Sequence, residues 1–340
     1  MSRRAYFRPL VHCGPVRPPN ALPLAGGWGW MTEVEVLCRD AEAQIIPVSD
    51  LPEEVRRALS APRAPVAGMS LDQPRIMGIL NATPDSFSDG GTHYAAKDAI
   101  ASGLAMAETG ADILDIGGES TRPGAAFVGI EEEIARTAPI LEGLRQAGYA
   151  GPLSIDTRKA PVAQAALTAG ASLINDVSGF TYDGALAPLA AENAVPVCVM
   201  HAQGDPATMQ DDPRYDDVLL DVYDFLEGQI ATLVARGIPA SRIIADPGIG
   251  FGKTLEHNLA LLARLSLFHT LGVPILLGAS RKRFIGTIGK EPDAAARAPG
   301  SIAVALAGIA QGVQIVRVHD VAETRQAIAL WQAATTGRQA

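Results

Sequence analysis

Two stretches, Ile76-Met-Gly-Ile-Leu-Asn81 and Asp112-Ile-Leu-Asp-Ile-Gly117, set a pattern that repeats along most of the chain. Six later runs are equally short, apolar and rich in β-branched residues: Pro152–Asp156, Ser172–Asp176, Pro196–His201, Arg242–Asp246, Pro274–Ala279 and Gln314–Val318. Nearly continuous apolar strands are typical of a parallel sheet that is buried on both faces. The runs therefore predict eight parallel strands.

Longer Ala-rich stretches with helical character separate these runs. The clearest are Ala95–Thr109, Ile130–Gln146, Ala160–Ala169 and Pro299–Gln311. Gly110, Gly170 and Gly312 each follow one of them, at the position where glycine ends a helix. Eight β–α units between residues 75 and 336 match a TIM barrel of about 250 residues. A doubly wound open sheet would give the same alternation, but the count of eight favours an α/β protein with a TIM (β/α)8 barrel.

Residues 1–70 differ from the rest because they are proline-rich and carry a Gly-Gly-Trp-Gly-Trp run that ends at Trp30. A short strand is expected over Thr32–Leu37 and a helix over Asp50–Ser60, with Asp50 as its cap. We interpret residues 1–70 as a small N-terminal extension that packs on a main domain of residues 71–340. A partly disordered arm is the competing interpretation.

Composition and charge narrow the class of protein. The formal net charge of −9 argues against a general nucleic-acid binder, which would need a basic face. The three cysteines, Cys13, Cys38 and Cys198, have no metal-ligand or redox spacing and fit a reducing compartment. No stretch has the length and apolarity of a membrane span, and no signal peptide is evident. A cytoplasmic enzyme is expected.

Polar residues that core packing does not require lie at or just after the ends of the predicted strands. They are Asn81, Asp115, Asp156, Asn175-Asp176, His201, Asp246, Ser280-Arg281-Lys282 and Arg317-Val318-His319. One such residue means little, since turns and caps also use Asp and Asn. A ring of them from separate strands indicates one site, because active sites of barrels are built at the carboxyl ends of the strands.

The residue types in this ring indicate which ligand groups they could bind. Asp156, Asn175 and Asp246 can accept hydrogen bonds from a flat heterocycle that carries amino and ring N–H donors. Arg317, His319 and Asn81 could hold a phosphate, as could the backbone N–H groups at the start of the last helix.

Seven motifs in order resemble the signatures of dihydropteroate synthases. They are Met77-Gly-Ile-Leu-Asn-Ala-Thr-Pro-Asp-Ser-Phe-Ser-Asp-Gly-Gly91, Asp115-Ile-Gly-Gly-Glu-Ser-Thr-Arg-Pro-Gly124, Ser154-Ile-Asp-Thr-Arg158, Ile174-Asn-Asp-Val177, Asp246-Pro-Gly-Ile-Gly-Phe-Gly252, Ser280-Arg-Lys282 and Arg317-Val-His-Asp320. The resemblance covers residues 75–336 and leaves residues 1–70 largely outside it.

The resemblance implies an activity. Dihydropterin pyrophosphate would lose pyrophosphate, and the amine of p-aminobenzoate would attack the exposed methylene to give dihydropteroate. Enzymes of this family use Mg²⁺ with the pyrophosphate, are usually homodimers and are the target of sulfonamides. We therefore expect Mg²⁺ as cofactor and a homodimer as the assembly.

The resemblance also assigns roles to individual residues. Asp156, Asn175, Asp246 and Lys282 match the pterin-binding set, with Met200 and Phe251 lining the ring pocket. Asn81, Arg317 and His319 match the family's pyrophosphate site, and Asn81 is expected near Mg²⁺. Ser280, of the Ser-Arg-Lys motif, is expected at the substrate too. Two loops match those that close over p-aminobenzoate, with Phe87 and Asp89 in the first and Thr121, Arg122 and Pro123 in the second.

The expected mechanism is electrostatic. Departure of pyrophosphate leaves positive charge on the pterin, which Asp156 would stabilise, while Arg317 and Mg²⁺ would stabilise the leaving group. An aryl amine is neutral at pH 7 and needs no strong general base. The predicted catalytic residues are Asp156, Lys282, Arg317 and Arg122.

Some interpretations remain beside this one. Met200 could be plain core, His319 a structural histidine and Phe87 a hydrophobic anchor. A methyltetrahydrofolate-dependent methyltransferase would share the acidic residues that bind the pterin, and a catalytically silent homologue would bind pterin without turnover.

The run Gly248–Thr254 resembles a P-loop but has Pro247 where a glycine is required. Asp205, Asp211 and Asp212 fit a solvated loop better than a metal site, and a contact of Arg283 with p-aminobenzoate stays open.

Overall fold

The N-terminal extension forms two small sheets and a helix. The computed structural model describes residues 4–82, 91–120, 127–204 and 208–337, without the side chains of residues 91–95. Strands β1 and β5 pair antiparallel on either side of β4, and β2 pairs with β3. The elements are β1 (Tyr6–Pro9), β2 (Leu22–Pro23), β3 (Trp30–Met31), β4 (Glu33–Cys38), β5 (Ala41–Pro47) and α1 (Glu53–Ser60).

Two details of this extension differ from the sequence prediction. The strand expected at Thr32–Leu37 is β4, shifted by one residue. The expected cap at Asp50 is wrong, because Asp50 lies in a 3₁₀ turn and helix α1 begins at Glu53, after Pro52. Proline lacks the side-chain acceptor of a cap, but its fixed φ leads the chain into the helix.

Eight parallel strands form the main sheet and close it into a barrel, which confirms the predicted TIM barrel and excludes the open sheet. The strands are β6 (Arg75–Asn81), β7 (Ile113–Gly117), β8 (Leu153–Asp156), β9 (Leu173–Asp176), β10 (Val197–Met200), β11 (Ile243–Asp246), β12 (Leu276–Leu277) and β13 (Ile315–Val318). Between β11 and β12 the ring closes through a parallel bridge of Ala245 with Ile275, and Ala245 N donates to Pro274 O at 2.9 Å.

Helices cover the outside of the barrel and follow the predicted pattern. They are α2 (Gly91–Glu108), α3 (Ile130–Gln146), α4 (Ala160–Thr168), α5 (Leu186–Glu192), α6 (Val218–Ala235), α7 (Leu255–Ala263), α8 (Arg283–Gly289), α9 (Ala298–Ala310) and α10 (Val321–Thr336). Gly110 and Gly170 have φ of +112° and +104°, so they end helices as predicted. Among the described residues, no helix has the length and apolarity to cross a membrane.

A layer of apolar side chains fills the lower half of the barrel interior. Seven strands each contribute one residue to it: Met77, Ile113, Leu173, Cys198, Ile244, Leu276 and Ile315. Val66 and Leu71, from the segment that leads into β6, pack against this layer from below. That segment therefore plugs the amino-terminal end of the barrel, and the boundary predicted at residue 70 falls within the plug.

The extension is also tied to the outside of the barrel. Trp28 Nε1 donates to Ile309 O at 2.9 Å, and Ser266 Oγ donates to Pro9 O at 2.9 Å. Arg63 Nη2 donates to His269 O at 2.8 Å, and the Tyr6 hydroxyl contacts both carboxylate oxygens of Asp224 at 3.0 Å. These contacts indicate that residues 4–70 fold against the barrel.

Replacement of Trp28 by Phe tests this coupling. Removing the indole N–H leaves Ile309 O with Gly312 N as its remaining donor, so the free energy of unfolding should fall by about 0.5–1.5 kcal/mol. Urea denaturation followed by circular dichroism of the barrel helices gives the measurement. The matched control is Trp30→Phe, because Trp30 Nε1 donates to Gly14 O within the extension. An unchanged midpoint for Trp28→Phe would mean that the extension does not stabilise the barrel.

Candidate active site

Strand geometry brings the predicted site residues together at the carboxyl end of the barrel. Side chains alternate along a strand, so residues two positions apart face the same side. Asp115, Asn175, Met200, Asp246 and Arg317 each lie two positions beyond a residue of the lower apolar layer. They therefore form a polar layer above it.

Arg317 connects three strands within this layer. Its Nε donates to Asp115 Oδ2 at 2.6 Å, and its Nη2 donates to Asp156 Oδ2 at 2.7 Å. Asn175 Nδ2 donates to the same Asp115 oxygen at 3.1 Å, which adds a fourth strand. Asp115 is fully buried, and its other oxygen has no hydrogen-bond partner among the described residues. Two carboxylates thus share one guanidinium.

Burial and the neighbouring charges set the pKa of Asp156. Burial raises this pKa to about 7, the charge of Arg317 opposes that effect, and the charge of Asp115 adds to it. The pKa of Arg317 itself is raised by both carboxylates against the effect of its own burial. A raised carboxyl pKa in a cleft is a frequent mark of a functional group.

Asp246 and Lys282 form the opposite wall of the site. Gly248 N donates to Asp246 Oδ1 at 2.7 Å, which fixes the carboxylate. Lys282 Nζ donates to Ile249 O and lies 4.4 Å from the centre of the Phe251 ring. Burial lowers the pKa of Lys282 to about 8, opposed by the nearby charge of Asp246. Burial likewise raises the pKa of Asp246.

Ser280 and His319 meet at the mouth, beside the start of helix α10. Ser280 Oγ lies 3.0 Å from His319 Nδ1 and accepts from His319 N at 3.3 Å. Arg281, between Ser280 and Lys282, has φ of +59° and pairs with Asp320, its Nε lying 3.1 Å from Asp320 Oδ2. This ion pair connects the Ser-Arg-Lys turn to the residue that precedes helix α10.

Several other sequence predictions now have a location. Met200 is buried, with its Cγ beside Gly248, and half-buried Asn81 ends β6 opposite Gly117 of β7. The P-loop imitation is a structural turn, because Thr254 caps α7 by accepting from His257 N. Asp212 is an exposed partner of Arg214.

The predicted loop residues lie outside the described part of the chain. These are Phe87, Asp89, Thr121, Arg122 and Pro123. Residues that flank the second loop are described and tightly linked: Lys159 Nζ donates to Glu119 Oε2 at 3.1 Å and to Val128 O at 2.7 Å. Glu119 Oε1 in turn accepts from Val128 N at 3.0 Å. The roles of the five loop residues stay predictions.

A cleft of about 310 Å³ opens beside Phe251. It is lined by apolar and hydroxyl side chains, with Arg158 at one side: Arg158, Val177, Ser178, Thr181, Tyr182, Ala202, Gly204, Met209 and Phe251. The Arg158 guanidinium lies over the Tyr182 ring at 4.1 Å. The barrel mouth therefore combines the charged group around Arg317 with a partly apolar cleft beside it. This combination suits a heteroaromatic ligand.

Two residues of this site have no role predicted from the sequence. Asp115 belongs to the predicted ring of strand-end polar residues, and its position two residues after Ile113 places it inside the barrel. Lys253 was noted only within the P-loop imitation, and it is buried with its Nζ 2.9 Å from His201 Nδ1. No local sequence signal indicates this contact, because His201 follows β10 and Lys253 lies in the loop after β11, 52 residues further along the chain.

The described residues contain no cluster of three or more His, Cys, Asp or Glu that could hold a metal by itself. Asn81 supplies an amide oxygen at the mouth. Mg²⁺ prefers oxygen ligands, keeps several waters and is often held by one or two protein groups together with substrate phosphates. A single amide oxygen beside a phosphate site fits that mode, whereas it does not fit a metal held by the protein alone.

Comparison with known proteins agrees with this geometry. The family described as pterin binding enzyme matches residues 77–319. The dihydropteroate synthase of Escherichia coli K12 is 46% identical over 274 residues, which are 80% of this chain and 96% of that one.

Two solved structures of Xanthomonas albilineans dihydropteroate synthase are also similar. The complex with 4-aminobenzoic acid has a TM-score of 0.75 and 48% identity, covering 80% of this chain and 98% of its own. The complex with 7,8-dihydropteroate has a TM-score of 0.73 and 45% identity, with the same coverage. The chain therefore belongs to the pterin-binding enzymes and, among them, to the dihydropteroate synthase family.

Proposed function

We propose that this chain condenses (7,8-dihydropterin-6-yl)methyl diphosphate with 4-aminobenzoate to give 7,8-dihydropteroate and diphosphate. The observation that carries the proposal is the buried group in which Arg317 joins Asp115 and Asp156 beside Asn175. It offers carboxylate and amide acceptors for a heterocycle next to a cation for a departing anion. Family membership supplies the identity of the two substrates.

The pterin ring would lie between the two walls of the barrel mouth. Asp156, Asn175 and Asp246 would accept hydrogen bonds from its amino and ring N–H groups. Lys282 would donate to its carbonyl or a ring nitrogen. Met200 and Phe251 would provide apolar contacts with the ring faces. All of these side chains except Phe251 and Lys282 come from strand ends, so the pocket is rigid.

The charged side chains would act on the step that breaks the bond to the diphosphate. The C–O bond between the methylene and the diphosphate breaks, and its electron pair leaves with the diphosphate. Arg317, His319 and Ser280 would stabilise the leaving group, while Asp156 would stabilise the positive charge left on the pterin. The amine lone pair of 4-aminobenzoate then forms the C–N bond, and the surplus proton goes to solvent.

The proposed reaction uses Mg²⁺ bound with the diphosphate. Asn81 would hold it together with the diphosphate oxygens. The bound ion would supply positive charge for the developing diphosphate anion. The residues of the two loops, Arg122 among them, would close over 4-aminobenzoate, as the family resemblance implies. We also propose a homodimer in the cytoplasm, which light scattering of the purified chain and cell fractionation would test.

A coupled assay for diphosphate release tests the function directly. With the pterin diphosphate and Mg²⁺ present, release should depend on 4-aminobenzoate, and dihydropteroate should form in equal amount. Binding of the pterin without turnover would instead favour a silent homologue. Methyl transfer from methyltetrahydrofolate to a corrinoid protein would favour the methyltransferase.

The Asp156→Asn substitution removes the charge that the mechanism requires. An amide keeps the shape but loses the carboxylate, so kcat should fall about 10²- to 10³-fold. The matched control is Asp176→Asn, another buried strand-end carboxylate, whose oxygens accept from Ser178 and Phe180 N–H groups of its own loop. That variant should lose stability and keep its kcat. Retention of most of kcat by Asp156→Asn would remove the charge-stabilising role.

The pH dependence of kcat/KM should report Lys282. Because its pKa is lowered to about 8, the ammonium form is lost as pH rises through that value, and kcat/KM should fall above about pH 8. In Lys282→Arg the guanidinium stays protonated, so this alkaline decline should disappear even if the plateau is lower. The same alkaline decline in both enzymes would assign it to a group other than Lys282.

Chelation tests the metal. EDTA should abolish diphosphate release, and excess Mg²⁺ should restore it. Asn81→Ala should raise the Mg²⁺ concentration needed for half-maximal rate about tenfold, because one protein oxygen ligand is lost. Unchanged Mg²⁺ dependence in that variant would exclude Asn81 as a ligand.

A further inference from the structure

Lys253 is a buried cation at the active-site mouth with an unusual set of partners. It is 3% exposed, and its Nζ lies 2.9 Å from His201 Nδ1, 3.0 Å from Phe251 O and 3.3 Å from His201 O. None of the ion pairs formed by described residues includes Lys253. An ammonium has three donors, and here each meets an uncharged acceptor.

Such an arrangement costs stability. Burying an amine without a directly paired carboxylate is unfavourable, and burial together with the neighbouring charge of Lys282 lowers the pKa of Lys253 well below its usual value. His201 cannot compensate, because burial and Lys253 lower its pKa to about 2 and keep it neutral. A stability role alone would be met more cheaply by an apolar side chain.

Two of the three bonds, those to His201 Nδ1 and His201 O, join Lys253 to the loop after β10, and the two loops also touch through their backbones. A Cβ on Gly248 would lie 1.9 Å from His201 O, and one on Gly252 would lie 2.5 Å from Gln203 O. Glycine is required at both positions, since their φ values are also positive, +67° and +60°. The loop after β11 thus rests directly on the loop after β10, and Lys253 provides hydrogen bonds across this contact.

The far side of the same loop meets the substrate pocket. Ile249 O accepts from Lys282 Nζ, and the Phe251 ring lies 4.4 Å from that nitrogen. Lys253 therefore holds Phe251 from behind while Lys282 contacts the loop from the front. Among the described residues, no hydrogen bond or ion pair joins Lys253 to the groups assigned to the substrate, and the charges of Lys282 and Asp246 act on it only through space.

We propose that Lys253 is a positioning residue, which holds the Gly248–Phe251 loop against the end of β10 and thereby fixes Phe251 and Lys282 for the pterin substrate. The proposal rests on the proposed function, because it takes the pterin diphosphate as the ligand. Its effect is expected first in pterin affinity, before turnover.

The test compares Lys253→Met with the wild-type full-length chain. Methionine keeps the length and apolar stem but removes all three donors. Calorimetric titration with the pterin diphosphate and Mg²⁺, in the absence of 4-aminobenzoate, should show a Kd about tenfold higher. The KM for this substrate should rise in parallel, and each value is taken at equal folded fraction from near-UV circular dichroism.

The matched control is Arg63→Met. Arg63 is also a buried cation that donates to backbone carbonyls, Ala61 O and His269 O, at the extension and away from the site. The Arg63→Met substitution should lower Tm and leave the Kd for the pterin diphosphate unchanged. A Lys253→Met variant that behaves the same way, with lower Tm and unaltered Kd, would overturn the positioning role.

A second variant tests the proposal if Lys253→Met does not fold. His201→Phe removes the Nδ1 acceptor and leaves Phe251 O and the backbone O of residue 201 as partners, so a smaller rise in Kd is expected. No rise in Kd for folded His201→Phe would contradict the proposal. Wild-type binding without turnover would overturn the proposed function alone, whereas no pterin binding by the wild type would overturn both.

Discussion

The structure of the active site depends on one guanidinium shared by two buried carboxylates. Arg317 leaves strand β13 and reaches Asp115 on β7 and Asp156 on β8, passing the intervening strand β6. Neither carboxylate could be buried at this depth without a cation, and removing one partner of such a group typically costs about 3–5 kcal/mol. The shared guanidinium therefore allows two carboxyl groups to be buried side by side in the site.

That charge arrangement is possible because the barrel separates its interior into layers. The lower layer is apolar, and Val66 and Leu71 pack against it from beneath. The upper layer is polar and open only toward the loops. In such a site, charges act through a low dielectric and are already oriented before the substrate binds. Fixed strand ends give this orientation more securely than loops would.

The extension and the glycine-rich loop stabilise this arrangement from two sides. Residues 4–70 add the plug and hydrogen bonds to the segment around Ser266 and His269, at the opposite end from the site. Near the mouth, the loop after β11 is held by Lys253 and also by Tyr215, whose hydroxyl donates to Gly252 O at 2.7 Å. The extension therefore supports the closed end of the barrel, and the contacts of Lys253 and Tyr215 hold the loop at its open end.

The sequence by itself determined the barrel and most of its strand-end residues. Eight apolar runs, the glycines that end helices and the polar residue after each run are local signals, since strand and helix periodicity are written in consecutive residues. Asp156, Asn175, Asp246 and Arg317 could be placed in one site for that reason. The motifs that resemble dihydropteroate synthases added the substrates.

Tertiary structure decided what no local pattern encodes. Strands β1 and β5 of the extension depend on pairing with β4, and their sequences lack clear alternation. Asp115 gains its importance from Arg317, more than two hundred residues further along the chain, and Lys253 from His201, which follows strand β10. Contacts between distant residues arise only when the chain is closed into a barrel. For that reason the sequence determined which groups reach the mouth, and only the fold decided which of them share a charge or hold a loop.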